Sequence, residues 1–216
     1  MRILLTVFCL SIMLILVSCG KEKFSASGIE VSEERQISGV SEIQNNGIID
    51  LEIFESMTFS LEVTADENLI ENVITNTSGS RLNISLLDGD YEVDNFKVKV
   101  GLPDISFIGN TGTGDVTLTG FVGLEDLEVI SSGTGDLLFE GSSRSLDLQS
   151  EGIGNFQGFN FSCQTINIDQ SGIGNSDVSV SERLSGQLNG IGDIRFKGMP
   201  VIDVQVNGIG EVMDAN

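Results

Sequence analysis

Six carboxylate or amide side chains follow pairs of glycines in the second half of this 216-residue chain. Each ends a Gly-[Thr/Ile]-Gly-x phrase, and the phrases recur at intervals of 21, 19, 20, 18 and 18 residues. The six residues are Asp115, Asp136, Asn155, Asn175, Asp193 and Glu211. A row of such oxygens could bind calcium, and a pair of carboxylates could catalyse glycoside hydrolysis.

The phrases differ from those of calcium-binding coils. The nonapeptide calcium repeat reads Gly-Gly-x-Gly-x-Asp-x-U-x. Here no phrase has a leading Gly-Gly, and the acid follows the second glycine by one residue rather than two. Asp and Asn at turns form hydrogen bonds to the local backbone. We therefore interpret the row as turn residues and predict no metal and no cofactor.

Catalysis would need more than this row of oxygens. Polysaccharide-cleaving sites bring several carboxylates together in a cleft, often with Lys or Arg. In this row Asn155 and Asn175 interrupt the acids, and the repeats have no insertion long enough to build cleft walls. We predict a protein that is not an enzyme and has no catalytic residues. A small polysaccharide-active lyase or hydrolase is the alternative, and three or more carboxylates with Lys or Arg in one groove would favour it.

The regular period predicts the elements that carry these residues. A repeat of 18–21 residues is typical of a solenoid in which each repeat forms one coil. Alternating apolar residues after each glycine phrase, and again about ten residues later, predict two short strands per coil with a turn between them. We expect all-β structure, with regular coils over residues 109–216 and less regular β coils over 35–108, in a single domain. Residues 67–73 could form a short helical turn.

The chain resembles the auto-transporter adhesin head GIN domain family over roughly residues 35–214. The shared segments are Val-Ser-Glu-Ile at 40–43, Val-Thr-Ala-Asp-Glu-Asn-Leu at 63–69, Arg-Leu-Asn-Ile at 81–84, Val-Lys-Val-Gly-Leu-Pro at 98–103 and the glycine coils. The resemblance implies a right-handed parallel β-helix and a Bacteroidetes-type lipoprotein adhesin. It implies no catalytic residues.

The first residues predict where the protein is located in the cell. Residues 1–18 read as a secretion signal, with Arg2 before an apolar run that is too short for a membrane span. Leu-Val-Ser-Cys at 16–19 resembles a lipobox, so Cys19 is the predicted lipidation site, and 19–34 is the expected tether. We expect a lipid-anchored protein of the cell envelope, at the outer membrane and exposed on its surface. A periplasm-facing scaffold is the alternative.

Composition excludes several partners. Without residues 1–18 the chain has 10 basic and 32 acidic residues, a net charge of −22. Such a surface repels phosphate backbones, so no nucleic-acid partner is expected. The chain has no histidine, and Cys163 would be the one unmodified cysteine. We interpret Cys163 as a small half-buried hydrophobe.

The expected role is therefore an interaction module with an unknown protein or glycan ligand. Aromatic side chains on a flat face would favour sugar stacking. Phe156, Phe159 and Phe161 form the densest aromatic cluster and are the predicted interaction surface. The end of a solenoid is sticky unless it is capped, so homo-oligomers are also expected.

Overall fold

The structure, a computed structural model, describes residues 22–93 and 95–216. The predicted signal segment 1–18 and Cys19 lie outside these residues. The described chain is nearly all β, with 63% strand, and it forms a β-solenoid of about five turns, as the repeat predicts. Among the described residues, no helix is long and apolar enough to cross a membrane.

Residues 22–93 and 95–216 form eighteen strands and one 3-10 turn. The strands of the first half are β1 Lys23–Phe24, β2 Glu30–Arg35, β3 Glu42–Asn45, β4 Asp50–Glu55, β5 Ser60–Asp66, β6 Val73–Ser78, β7 Arg81–Leu86, β8 Asp90–Tyr91 and β9 Lys97–Leu102. Those of the second half are β10 Phe107–Asn110, β11 Val116–Thr119, β12 Leu124–Ser131, β13 Leu137–Ser150, β14 Phe156–Gln170, β15 Ser176–Leu188, β16 Ile194–Lys197, β17 Val201–Val206 and β18 Val212–Asp214. The 3-10 turn Ile70–Asn72 lies where the sequence predicts a helical turn.

The coils stack as two parallel faces joined by two corners. The first face runs β9-β4-β11-β13-β14-β15-β16-β18, and the second runs β7-β3-β10-β12-β13-β14-β15-β17. Strands β13, β14 and β15 belong to both faces because each bends from one to the other. We call this bend the bend corner, and the Gly-x-Gly phrases form the opposite glycine corner. In these three coils the predicted turn is a bend within one continuous strand, with register shifts at Leu138/Glu140 and Gly158/Ser162. In the coils β11–β12 and β16–β17 two short strands are joined by a turn, as predicted.

The order of the coils in space differs from their order in sequence. Strand β3 pairs in parallel with β7 on one side and β10 on the other, and β4 pairs with β9 and β11. The coil β3–β4 is therefore inserted between two coils that come later in the chain. Its corner, Gly47-Ile48-Ile49-Asp50, is a further copy of the glycine phrase, in which Ile49 replaces the second glycine. The expected boundary at residue 108, between less regular and regular coils, therefore falls within a single stack of coils.

Alternation places apolar side chains between the two faces. Val116, Leu118, Leu137 and Phe139 on the first face are buried, and so are the predicted inward residues of the second face up to β15. Val206 is an exception, with 45% of its side chain exposed, because no further coil covers it.

The glycine corner packs backbone directly on backbone. A Cβ at Gly133 would lie 1.9 Å from the carbonyl oxygen of Gly112 in the preceding coil. At Gly154 the φ angle is +152°, and a Cβ would lie 1.9 Å from the carbonyl oxygen of Gly135. Both contacts are far inside van der Waals distance, and the neighbouring atom is a backbone oxygen, which cannot move aside. Only glycine therefore allows the coils to approach closely enough for the corner bridges that link each coil to the next.

Replacing Gly154 with alanine should destabilise the solenoid by about 3 kcal/mol or more, because the new methyl group collides with backbone. The control is Gly123→Ala, where φ is +80° but no atom lies within 4 Å of the added Cβ. The control should lose only about 1–2 kcal/mol from the left-handed conformation. Urea unfolding of both variants gives the comparison, and equal losses would contradict the stacking argument.

Antiparallel strands cap one end of the solenoid. Strand β2 pairs with β5 and β5 with β9, while β6 pairs with β7, all antiparallel. We call this the capped end. The opposite, open end is formed by β17 and β18. Among the described strands, β17 pairs only with β15 and β18 only with β16.

The expected tether 19–34 is wrong for most of its described part, because that part is folded. Strand β1 pairs with β8, and β2 pairs with β5. The ring of Phe24 stacks on Tyr91 with centroids 4.9 Å apart. The buried carboxylate of Asp66 accepts hydrogen bonds from the Gly28 N–H at 2.6 Å and from Asn95 Nδ2 at 2.5 Å. The hydrogen bond from Asn95, with that from Gly28, lowers the pKa of Asp66. The N-terminal segment is thus docked at the capped end.

Candidate functional site

The side chains after the glycine pairs form a hydrogen-bonded ladder. Asp136 Oδ1 accepts the backbone N–H of Asn155 at 2.7 Å and its Nδ2 at 3.1 Å, while Asp136 Oδ2 accepts Gln157 Nε2 at 3.0 Å. The same side-chain-to-backbone bond joins every step of the ladder, at 2.7–3.0 Å. Its members are Asp50, Asp115, Asp136, Asn155, Asn175, Asp193 and Glu211. The ladder oxygens thus satisfy the N–H groups of the next coil.

Within residues 22–93 and 95–216, no three Cys, Asp or Glu side chains are grouped so that they could hold a metal ion. The ladder holds two amides among five acids, and six of its seven side chains already accept a hydrogen bond from the next coil. The geometry therefore favours turn residues over a calcium site.

Asp136→Ala should cost about 2 kcal/mol of unfolding free energy, because the Asn155 N–H and the side chains of Asn155 and Gln157 lose their acceptor. Asp136→Asn retains one acceptor oxygen and should cost less than about 1 kcal/mol. The wild-type melting temperature should be equal in calcium chloride and in EDTA. A rise with calcium that is lost in Asp136→Asn would instead indicate a metal site.

A shallow groove of about 720 Å³ follows the bend corner. We call it the serine groove. It is lined by residues 123–125, 142–144, 162–164, 179–181 and 198–199. These segments come from successive coils, so the groove runs along the solenoid axis for about 19 Å at 4.8 Å per strand. Ser142, Ser162 and Ser179 stand opposite one another on neighbouring strands and present a row of hydroxyl groups.

The floor of the serine groove is uncharged, and its two charged rim residues, Glu125 and Arg144, form an ion pair. Ser143 Oγ lies 3.2 Å from the Sγ of buried Cys163, and burial raises the pKa of that thiol. Cys163 is more deeply buried than predicted, with 4% exposed. At the rim, Arg144 lies 3.0 Å from Glu125 and 2.6 Å from Asp126. Serine hydroxyl groups therefore lie in a groove whose lining is mostly neutral and contains apolar side chains as well.

The predicted phenylalanine surface is wrong for two of its three residues. Phe156 and Phe161 are 3% and 1% exposed, and both rings pack edge-on against Phe139 in the core. Phe159 is half-buried on the strand bulge of β14, with Lys197 Nζ 4.5 Å from its ring centroid. Because a cation lies over this ring, that position is poor for stacking a sugar.

A second concavity, of about 500 Å³, lies on the second face. We call it the acidic depression. It is lined by four carboxylates and one guanidinium, those of Glu42, Asp126, Glu128, Asp147 and Arg81. It therefore contains the residue types that the enzyme alternative requires.

The geometry of the acidic depression is less favourable to catalysis. Glu128 and Asp147 are neighbours on adjacent strands of a flat sheet rather than opposite walls of a cleft. Glu42 lies 2.7 Å from Arg81, and hydrogen bonds from Ser80 and Arg81 lower the pKa of Glu42. A general acid requires the opposite shift.

Exposed isoleucines form a ridge at the glycine corner. The middle residue of each phrase bridges to its counterpart in the next coil. Ile153, Ile173, Ile191 and Ile209 are 48–71% exposed. The exposure of these isoleucines could have been predicted from the Gly-Ile-Gly spacing, because a side chain between two corner glycines does not point into the core.

Comparison with known proteins agrees with this architecture. The sequence model of the family "Putative auto-transporter adhesin, head GIN domain" matches residues 40–200. The chain belongs to this family. No curated protein matches it in sequence.

Solved structures share the GIN-domain fold. A "putative adhesin" from Bacteroides fragilis NCTC 9343 matches with a TM-score of 0.73 at 18% identity, over 88% of this chain and 99% of that one. A "putative lipid binding protein" from Parabacteroides distasonis ATCC 8503 matches with a TM-score of 0.60 at 18% identity, over 90% and 100%. A "putative adhesin" from Parabacteroides merdae ATCC 43184 gives 0.51 at 19% identity, over 90% and 100%. The resemblance found in the sequence and the β-solenoid fold are confirmed.

Proposed function

We propose that this GIN domain is a non-enzymatic adhesin of the cell envelope, and that a lipid on Cys19 holds it at the outer membrane. The family description and two of the solved relatives name adhesins, which supports an adhesin-like role in the envelope or at the cell surface. The serine groove is the observation on which the proposal of a ligand-binding surface rests.

The groove suits an extended, uncharged polar chain. Each coil contributes a short segment at the same position along the groove, and three of these segments begin with serine, so hydroxyl groups repeat about every 4.8 Å along the axis. Serine hydroxyl groups both donate and accept hydrogen bonds, which matches the hydroxyl groups of a neutral glycan. The shallow floor would give each molecule a weak grip. Many anchored copies on one cell would then supply avidity.

The docked N-terminal segment supports the anchor. Glu22 O accepts the N–H of Asp90 at 2.8 Å, so the first described residue lies at the capped end. An anchor there would hold the capped end at the membrane and leave the bend corner free along its length.

Filling the serine groove should abolish binding to neutral polysaccharide. Ser162→Tyr places a ring in the middle of the hydroxyl row at an exposed strand position, so folding should be retained. The control Ser132→Tyr adds the same ring at an exposed position beside the glycine corner. Immobilised starch, cellulose and mannan should retain the full-length wild type and the control, whereas Ser162→Tyr should bind at least about tenfold more weakly. Equal retention of both variants, or no retention of any, would contradict the groove as the site.

The acidic depression keeps a polysaccharide-active enzyme as the second candidate, and the same polysaccharides test it. Release of new reducing ends or unsaturated products by the wild type, lost in Glu128→Gln, would replace the adhesin proposal with catalysis. The adhesin proposal expects no product from either protein.

Surface labelling of intact cells tests the anchor. Antibody labelling and protease shaving should detect the wild-type domain on the outside. Cys19→Ala, which removes the acceptor of the lipid, should release the domain from the membrane fraction. Protection in intact cells that is lost on lysis would instead favour the periplasm-facing scaffold.

A further inference from the structure

The open end exposes residues that occupy core positions in every earlier coil. Ile202 stands opposite Leu184, and Val206 stands opposite Leu188. Leu184 and Leu188 are 0% exposed, whereas Ile202 and Val206 are 40% and 45% exposed. The inward row of β17 is thus a core layer that the described residues leave uncovered.

The backbone of this layer is equally unpaired on one side. Among the described strands, β17 pairs only with β15, and β18 pairs only with β16. Their outer edges present N–H and C=O groups in a regular strand geometry. An exposed apolar strand edge of this kind is a template for pairing with another strand.

The capped end cannot serve as the complement of the open end. Its outermost strand on the first face, β2, presents exposed Glu30, Glu33 and Glu34. Arg35 covers the edge beside β6, since its guanidinium donates to the carbonyl oxygens of Val73 and Ile70. Charged residues on an edge strand disfavour pairing. A head-to-tail filament is therefore disfavoured. The remaining arrangement between two copies pairs one open end with the other.

We infer that the open end binds the open end of a second copy of this chain, with a two-fold axis perpendicular to the solenoid. In this arrangement β17 pairs antiparallel with the same strand of the other copy, and β18 does likewise. An isologous contact of this kind closes after two copies. The inward row of β17 and β18 carries Ile202, Val204, Val206 and Val212. Each copy thereby covers the other's exposed core layer.

Charge complements this choice of surface. The chain carries a net charge of −21, so two copies repel each other over most orientations. On β17 the acid Asp203 forms an ion pair with Arg183, and it stands on the outward row of the strand. The contact row is uncharged on β17, whereas on β18 it ends in Asp214, which stands opposite Phe196. Association should therefore strengthen as salt screens the long-range repulsion, because the Debye length falls from about 10 Å at 0.1 M to about 3 Å at 1 M.

The arrangement has a consequence that rests on the proposed anchor. The capped ends, where the N-terminal segments dock, would lie at opposite extremes of the pair. From β7 to β17 each solenoid extends about 34 Å at 4.8 Å per strand. Two anchored copies joined in this way fit two apposed membrane surfaces rather than a single one.

The experiment is sedimentation velocity on the full-length chain carrying Cys19→Ala, so that no lipid contributes to association. We expect a reversible dimer that tightens with added sodium chloride. Ile202→Lys puts two lysines close to the two-fold axis, so the dimer dissociation constant should rise about a hundredfold. The control Ile153→Lys makes the same change on the isoleucine ridge, where 57% of the side chain is exposed, and should leave the dimer intact.

Circular dichroism checks that each variant is folded, and Val206→Lys repeats the test at the other end of β17 if Ile202→Lys fails to fold. A wild type that stays monomeric at high micromolar concentration overturns the inference. So does a dimer that survives both lysines, or one that is lost in Ile153→Lys. None of these outcomes depends on polysaccharide binding, so the serine groove stands or falls separately.

Discussion

Each glycine corner places the backbone of one coil directly against the carbonyl oxygen of the coil before it, with no room for a Cβ atom. This contact fixes the spacing and the register of the stack. It aligns the N–H of each ladder residue with the side-chain oxygen one coil away. Buried amides close the same corner from inside: Asn45 Nδ2 donates to the carbonyl of Ile49 at 2.9 Å, and Gln170 Nε2 donates to that of Gly174 at 2.5 Å. The ladder acids, which look most like a catalytic or metal site in the sequence, therefore help to hold the stacked coils together at the glycine corner.

Because the glycine corner fixes the register, the residues at the bend corner are free to vary. At the bend corner the strands change direction through bulges rather than through a fixed phrase, so side chains there vary without loss of register. The serine groove lies at this corner, and the acidic depression lies on the flat second face. The two ends of the stack also differ in structure. One end is closed by antiparallel strands and the docked N-terminal segment, and the other exposes a core layer. The proposed ligand contact and the proposed self-association therefore use different parts of the solenoid.

The glycine period and the alternating apolar residues are local signals, and they predict the coils, the inward side chains and the 3-10 turn near Ile70. Three features depend on contacts that are distant in sequence. The insertion of the β3–β4 coil is hidden because Ile49 replaces a glycine, and the pairing of β3 with both β7 and β10 has no local signature. The N-terminal segment reads as a tether because its strands are short and polar, although Asp66 and Tyr91 bind it. The burial of Phe156 and Phe161 follows from the bulge in β14, which changes the parity of the strand between Gly158 and Ser162.

Amide hydrogen exchange at the glycine corner tests the central claim most directly. If the corners are backbone-stacked supports, the N–H groups of Gly135, Asp136, Gly154 and Asn155 should exchange as slowly as those of the buried strands beside them. They would then open only with global unfolding. Rapid exchange at these amides, typical of surface turns, would contradict the account. The corners would then be flexible connections, and the ladder acids would again be free to act as a site.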